Sequence, residues 1–187
     1  SAVRGNSTDG EIIWSTDKSL TSSRDGSDTG ADTEILDHMR TLLSDGKHSD
    51  AWSYYNSARI SPGKKENLDF MGAMSAYNLC RYDEAARIFD SLSRKAKDAR
   101  IKDESAFYAG VCLHSIARYR ESIPCFTKYL AAKSNNTYAC QAYFLRGVAY
   151  LNTSSKDKAL QDLRQVTALS PSDPLAQDAE KILKDMK

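Results

Sequence analysis

From Asp32 onward the apolar residues recur at helical spacing. In TEILDHMRTLL, residues 33–43, Ile35, Met39, Leu42 and Leu43 fall on one stripe, with Asp32 or Thr33 placed to cap the helix and Gly46 to stop it. Beyond Gly46, helix-length periodic segments alternate with short polar breaks, and few stretches alternate with period two. The pattern predicts an all-α chain. At the far end Asp173 is a good N-cap, and Pro174 suits a first helical position. Leu175, Ala179, Ile182, Leu183 and Met186 then share a face opposite Gln177, Asp178, Glu180, Lys181 and Lys184. This is a one-sided capping helix over 174–187.

Residues 1–32 are different. Ser, Thr, Gly and Asp fill 20 of those 32 positions, too polar a mixture to offset its ordering entropy. The segment is expected to be flexible or to order only by docking. One apolar island interrupts it, EIIWSTDKSL at 11–20, with Ile12, Ile13, Trp14 and Leu20.

The helical region repeats itself. RYDEAARIFDSL (81–92) is echoed by RYRESIPCFTKYL (118–130), with Tyr82 and Tyr119 and also Phe89 and Phe126 separated by 37 residues. The echo extends to four units. A small residue recurs at Ala51, Ala85, Ser122 and Ala159, at intervals of 34, 37 and 37. Four residues later stand Tyr55, Phe89, Phe126 and Leu163; twelve residues earlier stand Met39, Ala73, Gly110 and Gly147. The last unit carries Tyr143, Gly147, Tyr150, Ala159, Leu163 and Pro171.

These residues resemble the tetratricopeptide repeat (TPR), a helix–turn–helix unit with small and large residues at fixed offsets. The resemblance covers about residues 33–187. It implies a right-handed α-solenoid of about four helix pairs, over roughly 33–64, 67–100, 103–136 and 140–173, plus the cap. The interval of 37 adds about one helical turn between the second helix of a unit and the first helix of the next. Lengthened units of this kind are similar to those of bacterial envelope proteins, the Tol–Pal coordinator and the lipoprotein of the β-barrel assembly machine. That likeness implies a periplasmic or envelope protein; the cytoplasm stays open as the alternative. Pro124, inside the second helix of its unit, predicts a local irregularity but not a break.

In this family the first helices line the concave face. Phe70, Phe107 and Phe144 stand three residues before the Ala73, Gly110 and Gly147 slot. Met74, Val111 and Val148 come four residues after them, then Tyr77, His114 and Leu151 three further on. Helical geometry puts each trio on one stripe. The first unit adds Leu36 and Leu43, with Arg40 between them, and Asn78, Gln141 and Asn152 offer hydrogen bonds. Two readings stand: an apolar trough for a hydrophobic or amphipathic segment, or ordinary core closed over by tighter curvature. Some members of the family clamp a terminal carboxylate with Lys and Asn, but those slots here hold Phe, Met and Val. The island at 11–20 is expected to dock in the trough, in cis or in a neighbouring copy.

Composition narrows the function. A net charge of +1 points to neither nucleic acid nor a membrane surface. No apolar run approaches a membrane span. The chain opens at Ser1 and its first methionine is Met39, so a signal peptide or lipid anchor upstream stays open. Cys80, Cys112, Cys125 and Cys140 form no C-x-x-C pair and read as small buried thiols on helices. Three scattered histidines and the lack of any nucleophile, phosphate-loop or metal motif imply no cofactor, no metal and no enzyme. His114 is expected to be a hydrogen-bonded structural histidine. The expected function is a non-enzymatic scaffold for a protein or peptide partner, with a self-association module, dimer or filament, as the rival.

Overall fold

The computed structural model describes residues 30–132 and 137–186. The island at 11–20 and the rest of 1–29 lie outside these residues. Among the described residues the helices are α1 (Gly30–Ser44), α2 (His48–Ser57), α3 (Lys65–Asn78), α4 (Tyr82–Lys95), α5 (Ala99–Ser115), α6 (Tyr119–Ala131), α7 (Ala139–Asn152), α8 (Lys156–Leu169) and α9 (Pro174–Asp185). A short 3-10 turn, Pro62–Lys64, precedes α3. The described residues form an all-α solenoid of stacked helix pairs.

Each helix packs on the next in sequence. The first helices of the pairs also touch one another, α1 on α3, α3 on α5, α5 on α7, and α7 on the cap α9. The second helices make no comparable contact with each other among the described residues. The closer spacing of the first helices curves the stack and puts them on its inner side.

The repeat frame lies in the core. Ala51, Ala85, Ser122 and Ala159 are fully buried, as are Phe89, Phe126 and Leu163 four residues on. A Cβ added at Gly110 would stand 2.7 Å from the ring of Phe126, so only glycine lets α5 and α6 approach this closely. Gly72 adds a close approach between units: a Cβ added there on α3 would stand 2.5 Å from the ring of Tyr55 on α2, while the frame residue Ala73 is itself fully buried.

One backbone device recurs in all four units. α1 ends in a Schellman turn: the Gly46 N–H donates to the Leu43 carbonyl (3.1 Å) and the Lys47 N–H to that of Leu42 (2.8 Å), with Gly46 at φ +70°. The same pair of bonds closes α3 at Cys80, α5 at Ala117 and α7 at Ser154, with φ of 57°, 59° and 59°. Positions 46, 80, 117 and 154 repeat at 34, 37 and 37, although only one is glycine. The 37-residue interval lies mainly in longer second helices. α2 ends two residues after Tyr55, whereas α4 runs six past Phe89 and α6 five past Phe126.

Several expectations are corrected. α1 starts at Gly30, not at a cap on Asp32 or Thr33; Asp32 is inside the first turn and buried, and its Oδ1 accepts from the Ser61 N–H at 3.2 Å. This tie to the α2–α3 linker explains why the helix reaches back into the polar segment. Cys80 is exposed and occupies the left-handed turn position, whereas Cys112 is buried and Cys125 and Cys140 are half-buried. All four thiols are free. Burial pushes Cys112 up to about 12 and Cys125 up to about 11, so neither is a ready nucleophile. α6 runs unbroken through Pro124. α9 is capped by Asp173, whose Oδ1 accepts from the Leu175 N–H at 2.8 Å.

Candidate functional site

The expected trough separates into a buried floor and an accessible strip. Phe70, Met74 and Phe107 are 7%, 1% and 2% exposed and belong to the central core. Leu36 and Leu43 are equally buried, in a smaller cluster beneath α1. For these five the core reading is the right one. For the two phenylalanines the reason is aromatic packing within and between units. Phe70 meets Phe89 and Tyr108 edge-on at 5.6 and 6.3 Å, and Phe107 stacks on Tyr138 at 4.6 Å. These rings fill the space that wider curvature would have left open. Phe144 is half-buried among the side chains that meet the cap helix.

What remains accessible is a line of half-buried positions on successive first helices: Tyr77 on α3, Val111 and His114 on α5, Val148 and Leu151 on α7. Tyr77 is held edge-on by Tyr82 and Tyr108 at 5.9 and 5.8 Å. Asn78 and Asn152 stand exposed beside the line; each donates its Nδ2 to its own helix, to the Met74 and Val148 carbonyls, at 2.9 Å. Gln141 is exposed. Arg40 pairs with Asp37 within α1 and leaves the line.

His114 differs from expectation. Its Nε2 is buried without a hydrogen-bond partner among the described residues, and its ring rests against Tyr119 at 5.1 Å. Burial pushes its pKa down to about 4, so the imidazole is neutral at pH 7.

A second feature was not foreseen. A cleft of ≈ 390 Å³ opens between α7 and α8. Tyr143, Arg146 and Tyr150 face it from α7; Lys158, Gln161, Asp162 and Gln165 face it from α8. Arg146 donates through Nε and Nη2 to the two Asp162 oxygens at 2.7 and 2.8 Å, and through Nη1 to Thr127 Oγ1 of α6 at 2.9 Å. Its guanidinium lies 5.5 Å from the Tyr143 ring and 5.9 Å from the Tyr150 ring. The side chains of Arg146 and Asp162 are 14% and 5% exposed, so this is an interior pair. The sequence did carry a signal. Arg146 interrupts an apolar helix next to the frame glycine, and Asp162 immediately precedes the buried Leu163.

Among the described residues no group of three His, Cys, Asp or Glu side chains could hold a metal ion. Nor is any described helix long and apolar enough to cross a membrane.

No protein-family model matches the chain, and no curated protein matches it by sequence. Solved structures do match. A MamA fragment from Desulfovibrio magneticus RS-1, residue 41 to the end, aligns with a TM-score of 0.68 at 18% identity over 84% of this chain and 92% of that one. A MamA RS-1 ArsTM double mutant aligns at 0.67 and 18% identity, over 78% of each chain. YrrB, a TPR protein with an unusual peptide-binding site, shares much less of the shape, at 0.39 and 16% identity over 80% of this chain and 92% of its own. At such identities the likeness to the MamA structures shows the fold alone: an α-solenoid of stacked helix pairs.

Proposed function

We infer that the chain is a non-enzymatic interaction scaffold whose inner surface holds an apolar or amphipathic segment of another protein. The observation that carries this is the line Tyr77, Val111, His114, Val148 and Leu151. These side chains stay half-accessible on three successive first helices, with the exposed amides of Asn78 and Asn152 beside them. Apolar contacts would anchor the segment, and the amides would meet its backbone N–H groups. The deeper phenylalanines act indirectly, by fixing the curvature that sets the width of the strip.

The chain's own island at 11–20 is a natural occupant. Ile12, Ile13, Trp14 and Leu20 are apolar anchors tethered to α1. A tether of this length gives about millimolar local concentration, enough to populate weak docking and to compete with a partner. The lengthened units support a role in bacterial envelope assembly, which fractionation of the source cells would check.

The test is a fluorescence titration with a labelled EIIWSTDKSL peptide, using the full chain, a chain lacking residues 1–29, and each with Val111→Glu and Val148→Glu. The reading predicts binding that tightens on deletion and disappears with the glutamates. Binding indifferent to the glutamates would move the function elsewhere on the molecule. Mass that rises with concentration, and falls with the same glutamates, would support the self-association rival.

A further inference from the structure

The α7–α8 cleft lies on a different face of α7 from the accessible strip. Tyr143, Arg146 and Tyr150 form one stripe of that helix, and Val148 and Leu151 belong to another, centred about a third of a turn away. The proposed inner-surface binding therefore does not use it.

The repeat register shows how unusual its lining is. Shifting the α7 positions back by 37 gives Ala106, Ala109 and Leu113; shifting those of α8 gives Glu121, Pro124, Cys125 and Lys128. Where the third unit packs two alanines and a leucine, the fourth unit places two tyrosines around an arginine. The frame does not require this, because Gly147 and Leu163 already keep the same small-and-large pairing as Gly110 and Phe126. The cleft is a local addition to a standard unit.

Its charges define what fits. Asp162 neutralises Arg146. Lys158 has no carboxylate partner among the described residues; its ammonium stands 5.6 Å from the Tyr150 ring. The lining therefore carries one uncompensated positive charge. Around it stand the hydroxyls of Tyr143 and Tyr150, which make no hydrogen bond to any described residue, and the amides of Gln161 and Gln165, all able to donate. The Asp162–Arg146–Thr127 chain of bonds holds the guanidinium, and with it both rings, in place. Donors around a single excess positive charge suit a monoanion. A phosphate dianion would lack a second free cation and would stand near Asp162. The two rings add apolar walls beside the anion.

We propose that the α7–α8 cleft is a second peptide site, which binds a glutamate or aspartate side chain of a partner protein, its carboxylate on Lys158 and the tyrosine hydroxyls and a neighbouring apolar residue against the rings. The two sites would let one partner segment grip the inner surface while another is read on the outside of the last unit.

The test is a heteronuclear NMR titration of the full chain with the blocked peptide acetyl-Gly-Leu-Glu-Phe-Gly-amide and with its Glu→Gln counterpart. Shifts are expected at Tyr143, Tyr150 and Lys158, with the Gln peptide at least about tenfold weaker. Lys158 is exposed, so Lys158→Met should fold normally. It should weaken the Glu peptide by about tenfold. Tyr150→Phe, which keeps the ring, should weaken it by about threefold. Neither variant should alter binding of EIIWSTDKSL, and Val148→Glu should leave the Glu peptide unaffected, so failure of one site is distinguishable from failure of the other. Equal binding of the Gln peptide, indifference to Lys158→Met, or absence of shifts in the cleft would overturn the proposal. Inorganic phosphate displacing the peptide more effectively than acetate would overturn the choice of a carboxylate.

Discussion

The third and fourth units are built on one frame and use it differently. Both close their first helix with the same left-handed turn, at Ala117 and at Ser154. Both press a large side chain of the second helix against a glycine of the first. Yet α5 is buried along most of its length, with Phe107, Tyr108 and Cys112 in the central core. α7 buries only Ala142, Gly147 and Ala149. Part of the difference is position, since α5 is sandwiched between units and α7 has only the cap beyond it. The rest is chemistry. The third unit fills its inter-helix seam with alanines; the fourth opens the seam around a charged pair. A repeat frame fixes where helices lie and leaves the seam free to be core or site.

The largest effect is expected at the buried pair. Asp162→Ala would leave the Arg146 guanidinium without its counter-charge and should destabilise the fold by about 3–5 kcal/mol in urea unfolding. Replacing both partners together, Arg146→Met with Asp162→Leu, should be close to neutral, because it returns the seam to the apolar type of the third unit. Similar losses in the single and double variants would mean that the pair does not act as a unit.

Next come the frame glycines. Gly110→Ala drives a methyl to 2.7 Å from the Phe126 ring and should cost about 1–3 kcal/mol. In Gly147→Ala the nearest atom, Leu163 Cγ, is at 3.2 Å on a flexible side chain. There the helix preference for alanine offsets most of the crowding. Equal losses at the two sites, measured by thermal unfolding, would contradict the tighter seam of the third unit.

A pH difference separates the same two units. His114 and Leu151 occupy equivalent positions, 37 apart. The folded His114 has a pKa of about 4, below the ordinary 6.5, so between these values the unfolded chain binds the proton and the folded chain does not. Its contribution is complete above about pH 6.5 and is lost as pH falls toward 4. His114→Leu should remove that component from the stability–pH curve; an unchanged acid limb would show that His114 is more hydrated than its burial implies.

The smallest expected effect is at the turns. Ala117→Gly and Ser154→Gly should each stabilise by about 1 kcal/mol or less, since glycine relieves the left-handed strain but is freer when unfolded. A loss at either position in urea titration would mean that the side chain there contributes contacts that offset its strain.

The helix pairs and the cap were legible because they rest on local periodicity and on a frame repeated four times. The close approach of Gly72 to Tyr55 carried no signal, because it joins α3 to the preceding unit and lies outside the frame counted from Ala85. Three of the four left-handed turns were invisible, since Cys, Ala and Ser do not announce a positive φ. For Phe70, Met74 and Phe107 the sequence left trough and core both open, and the structure buries all three. Curvature decides that, and curvature depends on rings such as Tyr108 and Tyr138 that meet across units. The charged cleft was overlooked because Arg146 and Asp162 are 16 residues apart and become a pair only when α7 and α8 fold together.

The most direct test of the central claim is to map, by amide chemical shifts on the full chain lacking residues 1–29, where EIIWSTDKSL touches the solenoid. The account predicts shifts concentrated at Tyr77, Val111, His114, Val148 and Leu151 on three successive first helices. Shifts confined to α4, α6 and α8, or none at saturating peptide, would contradict an inner-surface site.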